Sequence, residues 1–424
     1  MKFKIQNSKF KRFLFSFCIL PYALCLMPYA LFAGGFQVNL QGQKQMGMGH
    51  TGTGLLLDGA SLLFNPGATS FLDSIRLVQI GASFIIPRSV YLEPAPGVYS
   101  EETVHHVGTP FTVYFVYKIK PEHKMNFGLG IYTPFGSRVE WPSDWKGQFL
   151  IREMELKTIF IQPTISYKVN DKIGIGAGFI YATGGFALKK GVPVQDTLGN
   201  YGEASLSGDA SGMGYNAGIY FKPNAKWSFG LDYRSSVKVA VDNGSASFVV
   251  PSSLEEYFPT TTFSATITMP HVLTIGTGFC PNEKLKLAFD INHIGWHVYD
   301  TLAFDFADTT SKLHNIRSAR MYKDAFIIRA GVQYQLKENV VIRGGAYFDK
   351  TPVQSGYLTP ETPDANRIGI TAGASWRISK KFNLDLSLLY IEGMKRSDKN
   401  LETEFEGTYK ARAVAPGFAI EYLF

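Results

Sequence analysis

The chain has 424 residues, 45% of them apolar and 14% aromatic, with 42 basic and 35 acidic side chains and three cysteines. Five of the basic residues, Lys2, Lys4, Lys9, Lys11 and Arg12, crowd the first twelve positions. Beyond them the balance is 37 to 35, so the formal charge of +7 reflects the N-terminus and does not point to a nucleic-acid partner.

Residues 13–32, FLFSFCILPYALCLMPYALF, are apolar up to the small Ala33 and follow that basic stretch, the pattern of a secretory signal. We expect residues 1–33 to be removed. Pro21 and Pro28 interrupt the run and no basic flank follows it, which argues against a membrane anchor. Neither Cys18 nor Cys25 follows the small residue that a lipidation signal requires, and Cys280 alone then remains, so no internal disulfide is expected.

Residues 34–74 read as neither regular helix nor strand. They close on SLLFNPGATSF, where Asn65, Pro66 and Gly67 set a turn into an apolar run. A stretch such as LLLDGASLLF is too apolar to remain a solvated tail.

From residue 75 the period is two. In WSFGLDYRS, Trp227, Phe229, Leu231 and Tyr233 share one face, and Ser228, Gly230, Asp232 and Arg234 the other. Strands are expected near 75–86, 111–120, 125–134, 157–169, 173–188, 207–222, 226–241, 263–280, 284–298, 326–336, 340–350, 366–378, 382–392 and 411–424, fourteen in all. Short turns such as NDK, KPNAK, PNEK, LKEN and SKK alternate with long loops at 87–110, 135–156, 189–206, 242–262, 299–325, 351–365 and 393–410. Short turns on one side and long loops on the other is the arrangement of an outer-membrane barrel, and an even strand count leaves both termini in the periplasm. No stretch of 18 apolar residues follows residue 33 to suggest a spanning helix.

The faces are chemically segregated. In KLKLAFDINHI, Leu285, Leu287, Phe289 and Ile291 take one side, and Lys284, Lys286, Asp290 and Asn292 the other. Lys or Arg on the lipid face at mid-bilayer costs about 2–4 kcal/mol, which a membrane barrel must avoid and a soluble sandwich need not. The last strand, AVAPGFAIEYLF, alternates Phe418, Ile420, Tyr422 and Phe424. A C-terminal aromatic resembles the signal read by the bacterial barrel assembly machinery.

These residues together resemble the FadL/OMPP1/TodX family of outer-membrane transporters of hydrophobic compounds. GGFQVNLQGQKQMGMGHTG followed by DGASLLFNPGATSFL is similar to the family's N-terminal hatch, with Asn65 and Pro66 matching and Gly67 in place of the usual alanine, which loosens the turn. TMPHVLTIGTGF, YRSSVKV and TPDANRIGITAGASWRIS resemble further family elements. The resemblance implies an all-β, fourteen-stranded antiparallel transmembrane barrel over 75–424, plugged by a hatch at 34–74, and a barrel this wide has a lumen its own side chains cannot fill. The implied function is passive uptake of hydrophobic or amphipathic molecules. Long-chain fatty acids are the first expectation and aromatic hydrocarbons the second; a general porin or an adhesin is the alternative class.

Candidate sites follow. In FVVPSSLEEYF, Ser252 or Ser253 lies three residues before Glu255 or Glu256, a capping-box spacing that predicts a short helix carrying Leu254, Tyr257 and Phe258 on one face. With Phe248, Val249 and Val250 it resembles the family's extracellular capture groove for substrate. Strand parity directs Arg234, Lys238, Arg329, Arg343, Arg367 and Arg377 into the lumen, where the resemblance implies a basic partner for an anionic head group. Pairs of such arginines with Asp232, Asp290, Asp349 or Glu421 that staple hatch to wall are the structural alternative. Gly128, Gly130 and Pro134 weaken the third strand, where the resemblance implies a lateral opening to the membrane. Adjacent His105 and His106 point apart in an extended chain and His50, His271, His293 and His297 stand singly, so no metal site is expected, nor a cofactor. No nucleophile elbow or clustered cysteine suggests an enzyme. We expect a monomer in contact with outer-membrane lipid.

Overall fold

The computed structural model describes residues 35–73, 76–120 and 122–424; the expected signal, residues 1–33, lies outside them. Fourteen strands follow in chain order, several in two pieces. They are β1 (Arg76–Ser83, Ile86–Leu92), β2 (Ser100–Glu102, Phe111–Lys118), β3 (Met125–Tyr132, Gly136–Glu140), β4 (Glu153–Lys168), β5 (Ile173–Gln195), β6 (Tyr201–Phe221) and β7 (Trp227–Arg234, Val237–Val249). The second half comprises β8 (Thr261–Met269, Val272–Phe279), β9 (Leu285–Ile294, Thr301–Phe306), β10 (Ile316–Ala319, Ala325–Lys337), β11 (Val340–Asp349), β12 (Arg367–Arg377), β13 (Phe382–Gly393, Arg396–Lys399) and β14 (Glu406–Leu423). Each pairs antiparallel with its sequence neighbours, and β14 returns to β1 in the register Leu77↔Leu423 through Ser83↔Gly417. That seam closes the sheet into a ring, so neither β1 nor β14 is left as an unpaired outer strand.

Three of the short turns have a common cause. Asn170, Asn224 and Asn282 each accept two backbone N–H bonds on the side-chain oxygen, from the residues two and three further on. An Asn that hydrogen-bonds its own downstream backbone makes a tight reversal without a long loop. At the opposite end the strands outrun the expected boundaries. β5 and β6 remain paired as far as Gln195↔Tyr201, so the stretch expected as a long loop at 189–206 is a β-hairpin with a turn closed by Asp196. The lipid-imposed alternation ends where the membrane does, whereas the hydrogen-bonded ladder does not.

Within the membrane the two faces hold. Phe229 and Leu231 are about 40% exposed on the outside, while Ser228, Asp232 and Arg234 are buried inside. Lys238 departs from the expectation and points outward. β7 is interrupted at Ser235 and Ser236, and the inward series runs Asp232, Arg234, then Val237, Val239 and Val241. An interval of three in place of two across the break reverses every side chain beyond it. Arg377 keeps inward parity but sits exposed at the short-turn rim, beside Asn339.

Candidate functional site

The N-terminal part of the described chain occupies the interior. Residues 39–55 and 58–70 are buried throughout, with two single helical turns, α1 (Gln43–Met46) and α2 (Ser61–Phe64). Contacts run round the ring. Gln43 bonds Ser83 of β1 and Ser387 of β13, Thr69 bonds Ser166 of β4, and the carboxylate of Asp290 on β9 accepts the N–H groups of Gly52 and Thr53 at 2.9 and 3.0 Å. Irregular backbone at this depth requires such partners, because a buried N–H or C=O group left unpaired is costly.

The Asn65-Pro66-Gly67 turn is held from three directions. The Asn65 side chain donates to Thr53 O at 3.0 Å and to Ile219 O of β6 at 2.9 Å, and accepts from Gly67 N–H at 3.0 Å. Gly67 is not loose. Its φ is an ordinary −63°, and a Cβ placed there would lie 2.7 Å from Gly174 O and 2.8 Å from Gly218 O. Glycine at this position is needed for close approach to the wall.

The cationic residues divide by role. Arg234 donates to Leu63 O at 2.8 Å, and Arg329 donates to Asn39 Oδ1 at 2.9 Å and to His50 Nδ1 at 2.7 Å, so both hold the N-terminal segment. Burial, joined by the Arg329 guanidinium, pushes the His50 pKa well down, which keeps that nitrogen an acceptor. Arg343 bonds Gln333 and Ser375, and Arg367 bonds Asp349 at 2.8 Å, so these two join wall strands to each other. Of the expected arginine–acid staples only Arg367–Asp349 forms, and it lies within the wall. The staple between segment and wall has its cation on the other side: Lys44 of α1 lies 3.1 Å from Glu421, 3.7 Å from Asp385 and 3.8 Å from Asp58. A lone lysine in a glycine-rich stretch carried no signal of this.

On the loop between β7 and β8 the expected helix is present but differs in kind. Ser252–Tyr257 is a 3-10 helix with Pro251 at its N-cap and no side-chain cap bond, because proline fixes the entering backbone and the serines lie inside the turn, exposed. Leu254, Tyr257 and Phe258 do share a half-buried face. Phe248 packs on Phe258 and Phe306, with ring centroids 5.7 and 6.4 Å apart, whereas Val249 is 71% exposed on the opposite face of β7 and leaves the groove. Two residues along β9 from Phe306, Phe304 packs on Phe186 and Phe263, each at 5.6 Å. It opens onto an apolar recess of about 10 Å³ bounded by Leu156, Val241, Ile267 and Met269. That is space for about one water, so any larger guest must displace side chains.

Beside the recess the wall is interrupted. The β2–β3 ladder runs from Lys118↔Asn126 to Thr112↔Tyr132, and the next backbone bond between these strands is Val104 N–H to Glu140 O. In the interval Pro134 O accepts from Val38 N–H at 2.9 Å and Gly136 N–H donates to Phe36 O at 3.1 Å, so the N-terminal segment takes the place of a wall neighbour. Phe36 covers the gap, packed on Phe135 at 6.3 Å and Trp296 at 4.7 Å. Pro134 thus lies in the break, but Gly128 and Gly130 do not. Both are paired on each side, to Val116 and Thr164 and to Tyr114 and Gln162. Their missing side chains make room for Leu62, whose Cδ1 would stand 2.2 Å from a Cβ at Gly128.

Contrary to the expectation, not all of the histidines stand singly. His105 bonds Glu102 and His106 bonds Glu140, while His271, His293 and His297 gather near Asp324, which bonds His297 at 2.7 Å.

Residues 24–424 match the family described as outer membrane protein transport protein (OMPP1/FadL/TodX). The long-chain fatty acid transport protein of Salmonella typhi is 23% identical over 426 residues, covering 94% of this chain and 96% of that protein. Its namesake in Escherichia coli K12 is 23% identical over 437 residues with the same coverage. Among solved structures, a Pseudomonas aeruginosa FadL homologue superimposes with a TM-score of 0.80 at 18% identity, over 92% of this chain and 100% of that one. The toluene transporter TodX of Pseudomonas putida gives 0.70 at 17% identity, over 93% and 99%. At these identities the structural likeness speaks for the fold alone.

Proposed function

Because the chain belongs to the OMPP1/FadL/TodX family of outer-membrane transport proteins, which are channels for hydrophobic compounds and not enzymes, we propose that it mediates passive uptake of long-chain fatty acids. The observation that carries this reading is the unbroken apolar track from Phe258 and Phe248 through Phe306 and Phe304 to the recess at Leu156, one strand from the wall break at Pro134. Substrate is captured at the helix bearing Leu254, Tyr257 and Phe258, passes the hatch at 34–74, and leaves sideways where Phe36 now covers the gap. Long loops then face outside the cell, and the short turns and both termini face the periplasm. The protein works as a monomer driven by the gradient of its solute, and the lipid-facing Phe424, 59% exposed, serves as the assembly signal.

Aromatic hydrocarbon uptake is the second reading, favoured by a recess lined without a single charge. A general porin is disfavoured by the filled lumen, and an adhesin would show no saturable binding of fatty acids. Uptake of labelled oleate and of toluene by cells lacking their own transporter separates the readings. Oleate uptake supports the first, toluene uptake without oleate the second, and neither rejects both.

A further inference from the structure

At the short-turn end, away from the track and the wall break, lies a cavity of about 860 Å³ that the proposed route leaves unused. Its floor is apolar and belongs to the N-terminal segment: Leu55, Leu56, Phe71 and Leu72. Its sides are the ends of β2, β4, β6, β7 and β9 and their turns, which bring in Lys118, Lys124, Lys168, Lys222, Lys226 and Lys286. Against these six cations stand three carboxylates, Asp73, Glu122 and Asp171. Some of the charge is used. Lys168 pairs with Asp171 at 2.8 Å, and Lys118 donates to Leu72 O at 3.0 Å. Lys222, Lys226 and Lys286 have no hydrogen-bond or ion-pair partner for their ammonium groups among the described residues, although they line the same cavity.

Like charges gathered without counter-ions repel, and the repulsion is strongest where walls of low dielectric exclude water. A structural role would have supplied acids. An excess of cations above a greasy floor is complementary instead to a molecule with an anionic head and an apolar tail. We propose that this mouth is a binding site for an anionic amphiphile, its head among Lys222, Lys226 and Lys286 and its chain on Leu55, Leu56 and Phe71. A free fatty carboxylate and an anionic phospholipid of the facing leaflet share that chemistry. The proposal does not rest on the route above; it holds or fails whichever solute the lumen carries.

Cys280, a free thiol that lines the cavity, is a reporter built into the chain. The experiment follows the rate at which a neutral maleimide modifies Cys280 in the purified protein in a non-ionic detergent, with sodium dodecanoate, dodecanol or a short-chain phosphatidylglycerol added. Dodecanoate or phosphatidylglycerol should slow labelling by about tenfold at ten times the dissociation constant, and dodecanol should not. Whichever anion protects identifies the source. The Lys222→Gln/Lys226→Gln/Lys286→Gln variant breaks no bond of the fold and should lose the protection while retaining its heat-modifiable gel shift. Absence of protection by both anions, equal protection by dodecanol, or protection that survives in the folded triple variant would overturn the proposal.

Discussion

Lys44 Nζ lies 3.1 Å from Glu421 Oε1, a contact that joins α1 to the last strand across 377 residues of sequence, with Asp385 and Asp58 closing the shell. Burial alone would lower the lysine pKa, but Asp385, Glu421 and Asp58 together raise it above the ordinary value. A raised lysine pKa contributes stability that is fully present below the unfolded value and is lost only as pH rises through the folded one. The staple therefore persists well into alkaline solution.

Lys44→Met removes the cation and leaves three carboxylates buried together. Breaking a buried pair in this way costs about 3–5 kcal/mol. The midpoint of heat modifiability in detergent should fall, and conductance across planar bilayers should rise if the segment loosens from β13 and β14. An unchanged midpoint would mean the carboxylates are satisfied without Lys44.

Gly67→Ala tests the seat of the turn. The added methyl meets backbone of β5 and β6, which cannot rotate away as a side chain can. Overpacking of this kind costs about 1–3 kcal/mol. Thermal denaturation should show the loss, and a gain in stability would show that the wall yields.

Leu254→Asp combined with Phe258→Asp places two charges on the half-buried face of the loop helix. Oleate uptake at low concentration should fall several-fold while the barrel stays folded, because the change lies outside the membrane. Normal uptake would move the capture site elsewhere.

Asp364, on the loop before β12, accepts the N–H of Gly35 at 3.1 Å and the hydroxyl of Thr351 at 2.8 Å. Burial pushes its pKa up to about 6, against the pull of Arg367. The folded state then holds the proton more tightly than the unfolded state, so stability falls as pH rises from about 4 to 6, by about 3 kcal/mol in all. Asp364→Asn should flatten the midpoint of heat modifiability over that window, and a slope unchanged from the parent protein would assign it to other groups.

The wall was legible in the sequence because lipid penalises the wrong face at every second residue; Trp227 through Tyr233 and Phe382 through Tyr390 declare their faces without help from any neighbour. Above the membrane that penalty disappears. The ladder from Lys189 to Gln195 and the Phe304–Phe306 pair therefore lie in stretches that read as loop, although TLAFDF alternates as clearly as any strand. Lys238 faces outward against its apparent parity for a related reason: a two-residue break changes parity, and neither Ser235 nor Ser236 marks a bulge by type. The interior was the least legible part. Lys44 finds Asp385 and Glu421, and Leu62 finds Gly128, only once the ring has closed, and no local period connects them.

The β1–β14 seam has a temporal consequence. Residues 39–70, made before any strand, end up enclosed by a wall whose final stave is synthesised last, so the Lys44–Glu421 contact has to wait for the whole chain. Contacts of such long sequence separation slow assembly, because the entropy of closing the loop is lost before any bond compensates for it. Until the seam zips, LLLDGASLLF has no apolar surroundings of its own and is the stretch most exposed to aggregation.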